Sequence, residues 1–322
     1  MKKLLKRIGI ILGIFLGIII LFITISYINH KIHLSSEDGL FVPSGQMVEV
    51  NNHKMHIYTE GQGDATLVFM SGGGTCSPVL DFNSLYSLLS NKYRVVVVEK
   101  AGYGYSEVVD VERDIDTVLS ETREALAKAG ISGPYVLCPH SMSGIEALYW
   151  AQTYPEEVTA IIGLDMAVPE AYEELKININ MIKVLAFTAN IGINRWIPGA
   201  AESDAIKYGT LSDEEKELYK LIFYRRTLTQ TMISEMQEIK TSAIKVGKQQ
   251  VPDIPMLLFS SNGQGTGVDE NTWRALPENY LKNTKNGEII NLDCSHYVHD
   301  IEYKKIAEET DRFIGKLGLL EY

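Results

Sequence analysis

One stretch limits what this chain can become more than any other: Tyr135-Val136-Leu137-Cys138-Pro139-His140-Ser141-Met142-Ser143-Gly144. A short apolar run ends abruptly in a turn that carries a serine. A helix-like run follows through Ile145, Leu148, Trp150, Ala151 and Tyr154. Strand, tight turn and helix in immediate succession are the setting in which a G-x-S-x-G pattern has chemical meaning. The strained turn lifts the hydroxyl out of the sheet. It leaves the next backbone N–H, that of Met142, free to bind an oxyanion. The positions two before and two after Ser141 are expected to be small, because strand and helix nearly touch there. In this chain they are Pro139 and Ser143. An ordinary strand-to-helix turn with a serine N-cap fits the same residues, so the rest of the chain has to decide.

At 322 residues there is room for one large α/β domain with an insertion, or for two domains. The formal net charge is −11, and no basic stripe interrupts it, which argues against nucleic-acid binding. The basic residues of the first thirty are Lys2, Lys3, Lys6 and Arg7, and no acid accompanies them. Behind them Ile8 to Ile28 is an uncharged apolar run. As a helix it is about 31 Å long, which matches a bilayer core. A cleavable signal peptide is the alternative. The run is long for one, and Ser26-Tyr27-Ile28-Asn29-His30 is too bulky for a cleavage site. The basic flank predicts a cytoplasmic N-terminus and a single-pass protein of the cell membrane, with the bulk of the chain outside. Cys76, Cys138 and Cys294 make neither a disulfide framework nor a zinc spacing. A Cys76–Cys294 bridge and inert free thiols both remain open.

The domain reading is residues 1–30 as cytoplasmic tip and anchor, and 31–46 as a polar stalk. Residues 47–168 and 251–322 form the core, and 169–250 an inserted helical cap. Within the core, Met47–Asn51 and Lys54–Thr59 read as a hairpin around Asn51-Asn52. Ala65–Met70, Tyr93–Val98, Tyr135 onward and Val158–Met166 read as buried strands. Helices are expected over 79–89 and 114–129 between them. This alternation predicts a mostly parallel sheet with helices on both faces. Residues 169–250 break the rhythm with helical patterns only, either a cap over a site or plain packing helices. Strand and helix patterns resume at Ile254–Phe259, Asn271–Leu281 and Glu288–Leu292. A last helix is expected from Asp300 to about Leu317. After the strand at 65–70 comes Ser71-Gly72-Gly73-Gly74-Thr75, where the backbone must turn tightly or approach something closely. The Gly73 N–H is the expected second oxyanion donor, against a plain flexible turn. A phosphate loop is disfavoured, because no Gly-Lys-Ser/Thr follows.

Four blocks in this order resemble the α/β-hydrolase fold family, of the capped esterase and prolyl-aminopeptidase type, over about residues 47–318. They are Phe69-Met70-Ser71-Gly72-Gly73-Gly74, Ala101-Gly102-Tyr103-Gly104-Tyr105-Ser106, Pro139-His140-Ser141-Met142-Ser143-Gly144 and Ser295-His296-Tyr297-Val298-His299. The resemblance implies an α/β-hydrolase fold and a serine hydrolase with Ser141 as nucleophile. It makes His296 the general base, while His299 packs or bonds locally. For the acid it leaves two positions. Most members carry an aspartate just after the strand that follows the cap, and here the first acid in that region is Asp269. Others place it at the end of the preceding strand, where Asp165 stands. Asp165 is preferred.

The expected reaction is acyl transfer to water with no cofactor and no metal. The expected partner is a small apolar ester or a short peptide, with the membrane reached through the N-terminal helix. An aminopeptidase is the rival within the class, and would use cap acids such as Glu170, Glu173 and Glu174 to hold an ammonium group. A catalytically silent hydrolase fold serving as a tethered binding protein is the rival outside it.

Overall fold

The computed structural model describes residues 2–318. Eight strands make one sheet: β1 (Gln46–Val50), β2 (His53–Glu60), β3 (Thr66–Met70), β4 (Arg94–Glu99), β5 (Tyr135–Pro139), β6 (Val158–Leu164), β7 (Met256–Ser260) and β8 (Gly287–Asn291). Their order across the sheet is β1-β2-β4-β3-β5-β6-β7-β8. The first two strands form an antiparallel hairpin, and β2 runs antiparallel to β4. Every other pairing is parallel. The hairpin turn is Asn51-Asn52, with φ of 48° and 62°. Two successive left-handed residues are what a tight hairpin turn needs, and asparagine tolerates them.

Among the described residues, thirteen α-helices accompany the sheet. They are α1 (Lys2–Ser36), α2 (Pro78–Asp81), α3 (Asn83–Leu89), α4 (Ile115–Lys128), α5 (Ser143–Thr153), α6 (Ala171–Glu174), α7 (Ile179–Asn190), α8 (Asp204–Tyr208), α9 (Asp213–Arg226), α10 (Gln230–Gly247), α11 (Glu270–Leu281), α12 (Val298–Ile301) and α13 (Tyr303–Lys316). The strands are apolar on both faces because both are covered. In β4, Val96 and Val98 join one core with α4, α5, α10 and α11, while Val95 and Val97 join another with α3 and α13. Local signals start and stop the helices. Asp114 caps α4 by accepting from the Thr117 N–H, and Gly130 follows its end at φ 72°. Ser212 and Glu215 close a capping box at the head of α9.

Between β6 and β7 the chain forms α6 to α10 and, among the described residues, no strand. The single helix expected over 79–89 is two, broken at Phe82, and the last helix is likewise broken at Glu302. The stretch read as a polar stalk differs more. Residues 31–36 continue α1, and a single tight turn, Asp38–Leu40, follows. The cause is tertiary: Arg195 of the insertion makes two 2.8 Å bonds to the Glu37 carboxylate, and Arg225 pairs with Asp38 at 2.9 Å. The N-terminal part of α1 is long and apolar enough to cross a membrane, with a mean hydropathy of 3.1 over eighteen residues.

Candidate active site

Strand β5 ends at Pro139, and α5 begins at Ser143. The turn between them holds Ser141 at φ 53°. For a residue with a Cβ, this left-handed conformation costs about 1–2 kcal/mol. Neighbouring bonds hold it in place. The His140 N–H donates to the Met70 carbonyl at 2.9 Å, and the Ala167 N–H to the Ser141 carbonyl at 2.9 Å. The Ser143 hydroxyl lies 2.6 Å from the Met70 carbonyl and 2.8 Å from that of His140. Ser143 therefore ties the turn to β3. A close approach falls one residue later than expected, between α5 and the loop after β6. A Cβ on Gly144 would lie 2.3 Å from the Ala167 carbonyl oxygen. Pro139, which has no N–H to give, sits between the pairs Leu137↔Ile161 and His140↔Leu164, where the β5–β6 ladder is interrupted.

The three polar residues favoured by the sequence come together. The Ser141 hydroxyl is 2.8 Å from His296 Nε2, and His296 Nδ1 is 2.6 Å from Asp165 Oδ2. The other oxygen of Asp165 accepts from the Ser261 N–H at 2.6 Å and from the Trp273 indole at 2.8 Å. The carboxylate is thus fixed at both ends, and it is buried. Asp165 sits at the C-terminal end of β6 with φ 50°, a second strained residue beside the first. The backbone of His296 donates to the Gln264 carbonyl at 2.9 Å. Asp269 does something else. Its carboxylate caps α11 by accepting from the Thr272 N–H at 3.1 Å, and the Thr272 side chain, followed by the backbone N–H groups of the first turn, holds its carboxyl below the usual range.

Ser141 opens into a cavity of about 230 Å³. Gly72, Gly73, Tyr172, Leu175, Gly265, Thr266, Trp273 and Tyr297 line it together with His140 and His296. Among the described residues, the Gly73 and Met142 amides donate no hydrogen bond within the chain. They are neighbours, since a Cβ on Gly73 would come within 3.0 Å of the Met142 sulfur. Next to them the Gly74 N–H points at the Tyr103 hydroxyl at 3.5 Å, and that hydroxyl donates to Glu235 of α10 at 2.8 Å. The insertion is thereby bonded to the glycine loop.

Several neighbours gave no sequence signal. His140 packs its ring 4.6 Å from that of His296 and donates through Nε2 to the His296 carbonyl at 3.2 Å. Burial and the two other histidines push its pKa well below the ordinary value, so it stays neutral. Trp273 lies 108 positions from the carboxylate it touches. His299 bonds not locally but across the fold, through Nε2 to Asp81 of α2 at 3.1 Å. Asp300 completes a buried trio with them, ligand atoms all within 4.8 Å, in a place that does not line the cavity. Burial and the charges of Asp81 and Asp204 raise the Asp300 carboxyl well above the usual range. That trio is the set among the described residues with the spacing to hold a metal ion. All three cysteines are free and buried, and burial pushes Cys76 and Cys294 up to about 12. Such thiols are inert, and the Cys76–Cys294 bridge is not formed.

No family model matches the chain. It is 40% identical over 267 residues to "Uncharacterized protein YbdG" of Bacillus subtilis (strain 168), a match covering 81% of this chain and 82% of that protein. A solved epoxide hydrolase of Bacillus megaterium is similar with a TM-score of 0.65 at 18% identity, over 84% of this chain and 100% of the other. The enol-lactonase of Burkholderia xenovorans LB400 is similar at 0.59 and 15%, over 84% and 100%. At these identities the likeness of the solved structures is one of fold.

Proposed function

We propose that this chain, which has the α/β-hydrolase fold, is a membrane-anchored serine hydrolase that transfers the acyl group of a small apolar ester to water. The contact series Ser141–His296–Asp165 carries this reading. Ser141 attacks the ester carbonyl while its proton passes to His296 Nε2. Asp165 holds the imidazole by Nδ1 and stabilises the charge that forms on it. The Gly73 and Met142 N–H groups receive the oxyanion. His296 then returns the proton to the leaving alcohol. It next takes a proton from water, which attacks the acyl-serine, and gives that proton to Ser141 Oγ as the C–O bond to the serine breaks and the acid leaves. The free amides and the strain stored at Ser141 support this assignment.

The cavity favours an ester over a peptide N-terminus. Holding an ammonium group requires a carboxylate, and no acid lines the cavity among the described residues. Glu170 and Glu173 are exposed, while the side chain of Glu174 lies outside the described residues. The cavity is small, at about 230 Å³. That fits a short acyl chain. The helix α1 and its basic flank support a single-pass anchor in the cell membrane with the N-terminus in the cytoplasm.

A fluorophosphonate probe, which forms a bond only to an activated serine, tests the reading. The native chain should be labelled and should hydrolyse p-nitrophenyl butyrate, and Ser141→Ala should do neither. Absence of labelling in the folded native chain would leave a silent binding protein as the answer.

A further inference from the structure

Helix α1 does more than lead into the domain. The Phe22 ring meets that of Trp196, centroids 6.1 Å apart. One turn on, the buried Ser26 hydroxyl donates to the Ile191 carbonyl at 2.7 Å and accepts from the Trp196 indole at 3.1 Å. One turn further, a Cβ on Gly192 would lie 2.3 Å from the Cβ of His30. The segment Ile191–Ile197 therefore lies flat against residues 22–30 of α1. Phe22 and Ser26 are inside the apolar run Ile8–Ile28. With a rise of 1.5 Å per residue, Phe22 lies about 9 Å inside the end of that run. A bilayer that accepts the run must reach the level of Trp196, and tryptophan is enriched at such boundaries.

Helix α7, which leads into this segment, is built inside out. It buries only the small Ala186 and Ala189. Its large apolar side chains point outward: Met181, Val184, Leu185 and Phe187, joined beyond the helix by Trp196 and Ile197, are each 50–57% exposed. The spacings of three and four gather 181, 184 and 185 on one face, and 184 and 187 are likewise three apart. A solvent-facing helix carries polar residues there, and a contiguous apolar patch marks a contact surface. The segment bonded to the end of the apolar run says what covers it. The cavity is close by in the chain: Tyr172 of α6 and Leu175, both in its wall, precede α7 by a few residues.

We propose that α7 and the Ile191–Ile197 segment rest in the bilayer interface beside α1, and that the Ser141 cavity takes its substrate from that bilayer. The substrate class is then an ester of a membrane-dissolved amphiphile. The last part rests on the serine-hydrolase reading, whereas the docking does not. The domain is acidic, so apolar contact and not charge holds the surface down.

The test uses the full chain in vesicles of zwitterionic phosphatidylcholine. The native thiols are buried, so an environment-sensitive maleimide can be placed on Val184→Cys and, for reference, on Glu308→Cys of α13. The label at 184 should be quenched by brominated lipid, and the label at 308 should not. In parallel, the Leu185→Glu/Phe187→Glu variant is assayed on p-nitrophenyl butyrate in water and on the butyrate ester of a long-chain alcohol dissolved in the vesicles. Turnover of the dissolved ester should fall about tenfold or more, because charge is strongly disfavoured in lipid. Turnover of the soluble ester should stay unchanged. A label at 184 that remains in water, or is shielded only by added protein, overturns the docking. Quenching with equal losses on both esters overturns the substrate route. Failure of the native chain on both esters instead removes the hydrolase reading, and the quenching result still stands by itself.

Discussion

Asp165 and Asp269 separate two roles that one residue type can play. Asp165 is buried, strained and bonded to His296, whereas Asp269 is an exposed helix cap. Asparagine has the shape of aspartate without the charge. Asp165→Asn should therefore stay folded and lose kcat by up to about 10⁴-fold, as in a comparable triad. Asp269→Asn keeps a good capping residue, and its kcat should stay within about threefold of the native value. Stopped assays on p-nitrophenyl butyrate decide, and the reverse pattern would move the acid to the loop after β7. Asp300 makes a different argument. It is fully buried, and among the described residues neither carboxylate oxygen has a hydrogen-bond partner. Burial and the facing acids Asp81 and Asp204 raise its carboxyl well above the usual range, and His299 lies beside it. The folded chain thus keeps a proton that the unfolded chain releases above about pH 4. Stability must fall as pH rises beyond that point. Asp300→Asn has no such proton, so its Tm should gain on the native Tm steadily from pH 5 to pH 8. A gap that stays constant across this range would show that Asp300 is not holding a proton.

At the scale of elements, the elbow depends on Gly144 more than on the residues two places from Ser141. An added methyl would meet the Ala167 carbonyl, which is backbone and cannot turn aside. Gly144→Ala should force α5 from the loop after β6, at about 1–3 kcal/mol of stability. Because Ala167 also bonds Ser141, ester turnover should fall with it; urea unfolding and the butyrate assay measure the two effects, and native values in both would refute the contact. Much at this scale was legible in the sequence, since the signals are local. The valines of β4, the Asn51-Asn52 turn, the cap at Asp114 and the order of the four family blocks each act within a few residues. What was not legible depends on distant partners. Nothing in Ser35-Ser36-Glu37-Asp38 announces Arg195 and Arg225, which turn an expected stalk into helix. Pro139 is harmless because of a gap in the β5–β6 ladder, a property of two strands and not of one. The breaks at Phe82 and Glu302 have no sequence punctuation at all.

At the scale of the whole molecule, α1 is both a helix long and apolar enough to cross a membrane and a contact for the helical insertion, and the two features divide along its length. Residues 2–21 are exposed, whereas Phe22, Ser26, His30 and Glu37 are bonded to or packed on residues 191–196. Shortening the chain from the N-terminus should separate the two. A chain beginning at Phe22 loses most of the apolar run and keeps every one of these bonds. It should be recovered without detergent, with the Tm of the detergent-solubilised full chain. A chain beginning at Asp38 loses Ser26, His30 and Glu37 together. The Arg195 guanidinium, buried between His30 and Glu37, is then left without its carboxylate, and the Ile191 carbonyl without its donor. Each hydrogen bond lost is worth about 0.5–1.5 kcal/mol net, and one to a charged group about 1.5–3 kcal/mol. In a chain of this size that is a fall in Tm of several degrees, since 1 kcal/mol corresponds to about 2–4 °C. The loss should be local to the insertion. Hydrogen exchange should speed up in α7 and in the Ile191–Ile197 segment, while β3 to β7, sealed between two apolar cores, keep their protection. Equal melting and equal exchange in the two shortened chains would mean that α1 merely lies beside the insertion and does not brace it.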